Sequence, residues 1–141
     1  MGAGSKMAII VVLAGLVTAC ALLPSRPLTV MGTVAYREPS ALPPEALVEV
    51  TLFDVTQGDA AAQVVATQSI SLNGRQLPVA FDLVVQPGWR KAKGRYVLRA
   101  QIVRPDGSVL YASDKDYPVT LGKKPPELEI VVKPVKTGTE S

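Results

Sequence analysis

From Leu28 onward apolar residues recur at every second position, the spacing of strands with one buried face. Leu28, Val30, Val34 and Tyr36 share one face of a first predicted strand, and Ala46, Val48, Val50 and Leu52 share a face of a second, with Glu49 and Thr51 opposite. Val64, Ala66, Ile70 and Leu72 predict a third, interrupted on that face by Gln68, and Leu77, Val79, Phe81, Leu83 and Val85 a fourth. Between these two, Asn73-Gly74 offers the pair that a two-residue hairpin turn prefers, because both central positions take positive φ. In a fifth segment Tyr96, Leu98, Ala100 and Ile102 alternate with Val97, Arg99, Gln101 and Val103. Pro105-Asp106-Gly107 then turns the chain into Val109-Leu110-Tyr111, and Tyr117 to Leu121 and Leu128 to Val132 predict two last short strands. No window of helical length carries a clear amphipathic stripe. Seven or eight short strands between turn signals predict an all-β domain over residues 28–133, an antiparallel β-sandwich of immunoglobulin-like architecture. Residues 134–141 read as a polar, flexible tail.

The pattern before Leu28 is different. A basic start ending at Lys6 leads into an unbroken apolar run, Met7 to Val17, and then Val17-Thr18-Ala19-Cys20, so residues 1–19 read as a secretory signal. The four-residue ending resembles the bacterial lipobox. That resemblance implies cleavage before Cys20, a diacylglyceryl thioether on its sulfur and an acyl chain such as palmitate on its new amino group. Several chains are needed because each buried methylene contributes about 0.8 kcal/mol and one chain alone anchors only marginally. The alternative is an uncleaved signal anchor, since broken apolar character runs on to Leu23. Ala21 follows the cysteine where an aspartate would favour inner-membrane retention, and likeness to lipoproteins in general implies a periplasm-facing protein on the outer membrane. Pro24, Ser25 and Pro27 make residues 20–27 an extended tether. At about 3.3 Å per residue it spans some 25 Å.

Composition narrows the chemistry. Among 141 residues there is no histidine and one cysteine, which excludes imidazole-based nucleophilic catalysis, a His/Cys zinc site and an intrachain disulfide. No motif asks for a cofactor. Loss of the signal removes Lys6 from the 15 basic residues, leaving 14 against 12 acidic, too even a balance for a dedicated nucleic-acid binder. Asp114 and Asp116 stand two apart, which on a strand would put both on one face as acid/base catalysis requires, but a solvated turn around Lys115 explains them as well. The densest charge cluster is Arg90, Lys91, Lys93 and Arg95, just after Trp89, the only tryptophan. Such a loop suits an anionic membrane surface or an acidic partner. It equally suits a tryptophan packed over the end of the domain with the charges keeping the loop soluble. Open sheet edges are the other generic binding surface.

Several motifs in one order then carry a resemblance. They are Tyr36-Arg37-Glu38, Ala41-Leu42-Pro43-Pro44, Val48 to Val55 ending in Leu52-Phe53-Asp54-Val55, Leu77-Pro78-Val79-Ala80-Phe81-Asp82-Leu83, Tyr96 to Ala100, Asp106-Gly107, Ser113-Asp114 and Tyr117-Pro118-Val119. Together they resemble the YscW/YbaY-like family of small envelope lipoproteins, whose type III secretion members are pilotins or lipoprotein chaperones. The resemblance implies a non-enzymatic, monomeric protein that binds the C-terminal region of an outer-membrane secretin and assists its localisation or assembly. The family also holds envelope lipoproteins outside secretion systems, so a general envelope role is the alternative. The motif residues themselves read as structural: Tyr36 covering one end of the domain, Pro43 and Pro44 stiffening a link, Asp54 and Asp82 serving loop hydrogen bonds.

Overall fold

The computed structural model describes residues 26–37, 40–89, 93–122 and 127–136. Among these residues eight strands form: β1 (Leu28–Tyr36), β2 (Leu47–Asp54), β3 (Gln63–Ser71), β4 (Val79–Val85), β5 (Tyr96–Val103), β6 (Val109–Ser113), β7 (Tyr117–Val119) and β8 (Leu128–Pro134). Single 3-10 turns lie at Asp59–Ala61 and Pro87–Trp89. The period of two does what it predicts: Val79, Phe81, Leu83 and Val85 point inward while Ala80, Asp82 and Val84 are exposed. Val48, Val50 and Leu52 of β2 are likewise fully buried. The core cluster draws on residues from Leu28 to Val132, with Phe81, Leu83, Leu98, Ile102 and Ile130 among them, so the described segments close around one interior.

The strands do not divide into two sheets. They run in the order β3-β2-β5-β6-β8-β1-β4, with β7 beside β5, in one sheet that curls into a nearly closed barrel. This corrects the expected immunoglobulin-like sandwich. Two features of the backbone explain it. β1 pairs with β8 in parallel, Gly32 opposite Leu128 through Tyr36 opposite Val132, which stitches the two ends of the domain into a continuous sheet and departs from an all-antiparallel scheme. Register shifts at Leu52/Phe53 and Ile102/Val103 add the local bend and twist that curl a sheet. The first of them also explains why Val64 is exposed when alternation placed it inside. Leu52 pairs with Ala66 and Phe53 with Val64, so Val65 is skipped and packs on the core instead.

The Asn73-Gly74 turn forms, with φ of 52° and 83°, but the hairpin it predicted does not. No ladder joins β3 to β4. The turn's amides go elsewhere: Leu72 donates to the Ala46 carbonyl and Gly74 to that of Pro44, tying the turn to the β1–β2 connection. β4 therefore pairs with β1, and β3 with β2, leaving a seam between them. The Gln68 side chain bridges that seam, its Nε2 donating to Asp82 Oδ1 and its Oε1 accepting from the Asp82 backbone amide, both at 2.9 Å. Asp82 thus serves the seam and not a loop.

Chain direction fixes two ends. β1 starts opposite Val85, so the segment before Leu28 arrives beside the β4–β5 loop, and β7 and the β2–β3 loop share that end. The β1–β2, β3–β4 and β5–β6 connections and the end of β8 lie at the other.

Candidate functional site

Cys20, Arg90 and Lys91 lie outside the described residues. Trp89 closes the 3-10 turn at the tether end, half-buried against the core, with its carbonyl accepting from the buried Tyr96 hydroxyl. Lys93 and Arg95 are exposed. The Arg95 backbone is pinned, its N–H donating to Thr56 Oγ1 at 3.0 Å and its carbonyl accepting from Val55 at 2.8 Å. Trp89 is therefore partly structural, while Lys93 and Arg95 turn their charge to solvent beside the point where the chain enters the barrel.

Asp114 and Asp116 fall in the bend between β6 and β7, not on a strand, and each has its own partner. Arg99 donates to Asp116 through Nε at 2.6 Å and Nη2 at 3.0 Å, and its guanidinium lies over the Phe53 ring at 4.8 Å. The hydrogen bond from Arg99 holds the Asp116 carboxyl below its ordinary range. Tyr117 donates its hydroxyl to Asp114 Oδ1 at 2.5 Å, and that bond lowers the Asp114 carboxyl in turn. Both carboxyls shift the same way, whereas acid/base work needs one of a pair raised. The same tyrosine oxygen accepts from the Val131 N–H at 3.0 Å while Asp114 N–H donates to the Val131 carbonyl, so these residues clamp β8 onto the β6–β7 bend. Burial and the bond to Asp114 push the Tyr117 hydroxyl upward. Asp54, buried at 4% exposure, accepts from the Thr56 amide at 2.9 Å and its hydroxyl at 2.5 Å, the loop role expected of it.

Alternation along single strands gave no sign of a cleft of about 430 Å³ at the far end of the barrel. Tyr36 at the end of β1 meets Tyr111 of β6 edge to face, ring centres 6.1 Å apart at 70°. Val131, Val132 and Pro134 of β8 continue the apolar lining, and Arg37, Lys133 and Lys136 stand along it, with no acidic residue lining it among the described residues. The β8 backbone carries the site past the predicted strand end, for Val135 N–H still donates to the Leu110 carbonyl at 3.0 Å. An apolar floor bordered by three cations suits a partner segment that pairs aromatic or aliphatic side chains with acidic ones. Sequence spacing hid it because Tyr36, Tyr111 and Pro134 are brought together by the β1–β8 and β6–β8 pairings.

Among the described residues no group of three potential ligands could hold a metal ion, and no helix is long and apolar enough to cross a membrane. What fold and surface define is a small β-barrel with an apolar, cation-bordered cleft at one end. Residues 25–132 match the family model "Type III secretion system lipoprotein chaperone (YscW)", and the chain belongs to that family. It is 36% identical over 90 residues to the uncharacterized lipoprotein YbaY of Escherichia coli, a match covering 64% of this chain and 47% of YbaY. The chain thus spans about half the length of that relative. Its fold is similar to that of an alternative pilotin from the type II secretion system of Vibrio cholerae, with a TM-score of 0.70 and 36% identity over 78% of this chain and 98% of the pilotin.

Proposed function

We propose that this chain is a lipid-anchored pilotin, an outer-membrane lipoprotein that faces the periplasm, binds the C-terminal region of a type III secretion secretin and assists its localisation or assembly. The observation that carries this reading is the family match across nearly the whole described domain, and the likeness to a type II pilotin supports a shared task for the fold. Binding works by raising local concentration: a secretin subunit held by an anchored chaperone travels to the membrane that receives the anchor. Cys20 carries the acyl chains. The Tyr36–Tyr111 cleft is where the partner segment docks, because it joins apolar area to a cationic border. The protein acts as a monomer and without a cofactor.

The test is a pull-down from detergent-solubilised envelopes of cells shown to express a secretin, with the Cys20→Ser protein as bait and mass spectrometry as readout. Enrichment of a type III secretin, competed away by its own C-terminal peptide, is the expected result. Enrichment of a type II secretin would move the protein to the other system. Failure to enrich any secretin would favour the general envelope role, in keeping with the resemblance to YbaY.

A further inference from the structure

Ser113-Asp114 and Tyr117-Pro118-Val119, the two short motifs around the β6–β7 bend, meet at one side chain. The Tyr117 hydroxyl donates to Asp114 Oδ1 at 2.5 Å and accepts from the Val131 N–H at 3.0 Å, while the Asp114 N–H donates to the Val131 carbonyl at 3.0 Å. Val131 also lines the cleft, and Lys133, two positions further along β8 and so on the same side of the strand, stands on the cleft border. The clamp therefore lies directly beside the cleft's cations. Lys133 is the cation that lowers the Asp114 carboxyl most, ahead of Lys115, and Arg37 bears on the Tyr117 hydroxyl.

An acid so placed would be expected to pair with Lys133, and it does not. Among the described residues Arg37, Lys133 and Lys136 stand in no ion pair. Asp116, the other acid of the bend, is turned to Arg99 at 2.6 and 3.0 Å. Both acids are thus occupied away from the cleft, and Asp114 is occupied by a neutral donor. A carboxylate hydrogen-bonded to a hydroxyl consumes no cation, whereas one paired with Lys133 would compete with any acidic ligand for it.

We propose that Tyr117 is a specificity-determining residue of the cleft: by holding Asp114 on the β6–β7 bend it keeps the Lys133 charge open to the acidic groups of the docking segment. The inference rests on the reading of the cleft as the docking site, and its test separates the two. Residues 20–141 carrying Cys20→Ser hold the whole core and are titrated at low salt with anilinonaphthalene sulfonate, an aromatic anion whose fluorescence reports an apolar site bordered by cations. Saturable binding that Arg37→Glu/Lys133→Glu weakens places the dye in the cleft. Tyr117→Phe is expected to weaken it about threefold, as an exposed Asp114–Lys133 pair becomes free to form, and the loss should shrink at high salt. Tyr117→Phe/Asp114→Asn, which lacks the hydroxyl and the charge together, is expected to bind as tightly as the parent. Both variants lose the bond to Val131 and share any shift of β8, so the difference between them reads charge alone. A double variant as weak as Tyr117→Phe would make the clamp purely structural and overturn the proposal. So would parent affinity in Tyr117→Phe, or a dye that fails to bind the parent or binds Arg37→Glu/Lys133→Glu equally well. The same proteins titrated with the C-terminal peptide of the secretin read the docking itself: a parent that binds the dye and not the peptide contradicts the pilotin reading and leaves the role of Tyr117 standing.

Discussion

At the scale of single residues, the polar groups in this barrel hold the ends of strands in place. Asp54 is the sharpest case, a buried carboxylate whose acceptors satisfy the backbone and hydroxyl of Thr56. Asp54→Ala leaves those donors unpaired and is expected to cost about 1–3 kcal/mol in urea unfolding, with Asp54→Asn recovering part of it. Gly32 is set by close approach: a Cβ there would stand 2.1 Å from the Leu128 carbonyl oxygen and 2.7 Å from Phe81 Cζ. Gly32→Ala must push the β1–β8 pair apart, and a loss of about 3 kcal/mol, at the upper end for overpacking, is expected in the same measurement. Asp116 contributes through pH. Its carboxyl is lowered by the hydrogen bond from Arg99, so the folded state binds that proton less tightly than the unfolded chain. The stabilisation is present above the ordinary carboxylate range and lost as pH falls through the lowered value. With both side chains over a third exposed the effect is small, within the roughly 1 kcal/mol of surface pairs. Thermal melts should therefore hold level near neutrality and fall below about pH 4, and Asp116→Asn should shrink the fall.

At the scale of elements, local signals were legible and partner choice was not. The period of two located every strand, and Asn73-Gly74 marked a turn with the dihedrals it demands. The turn still failed to make a hairpin, because pairing depends on which backbone groups are free, and those of Leu72 and Gly74 were taken by Ala46 and Pro44. Val64 failed for a kindred reason, as one skipped residue in the register turns a face outward without any change in composition. Gln68, which reads as a polar interruption of an apolar face, is the residue that bridges the resulting seam. Gln68→Val is expected to lower stability by about 1–2 kcal/mol, from two hydrogen bonds at their usual net worth. Amide exchange at the facing edges of β3 and β4 should quicken while β2 and β5 stay protected; unchanged exchange along the seam would mean that the bridge contributes nothing.

At the scale of the whole molecule, the parallel β1–β8 pair decides both the barrel and the cleft. Chain ends that alternation treats as unrelated are joined there, which is why a sandwich was the natural expectation and why Tyr36, Tyr111 and Lys133 could not be seen as one site. The basic cluster was legible because its four charges fall within six positions of the sequence; the cleft's cations are spread from Arg37 to Lys136. The central claim is that an acidic, partly apolar secretin segment docks in that cleft. Isothermal titration calorimetry of residues 20–141 carrying Cys20→Ser with the C-terminal peptide of the secretin tests it most directly, in the parent and in Arg37→Glu/Lys133→Glu, two surface-facing changes on the cleft border. The account predicts saturable one-to-one binding that weakens about tenfold or more on charge reversal, in line with two lost contacts to acidic groups. Equal affinity in the two proteins would place the partner elsewhere, and no measurable binding by the parent would contradict the pilotin reading itself.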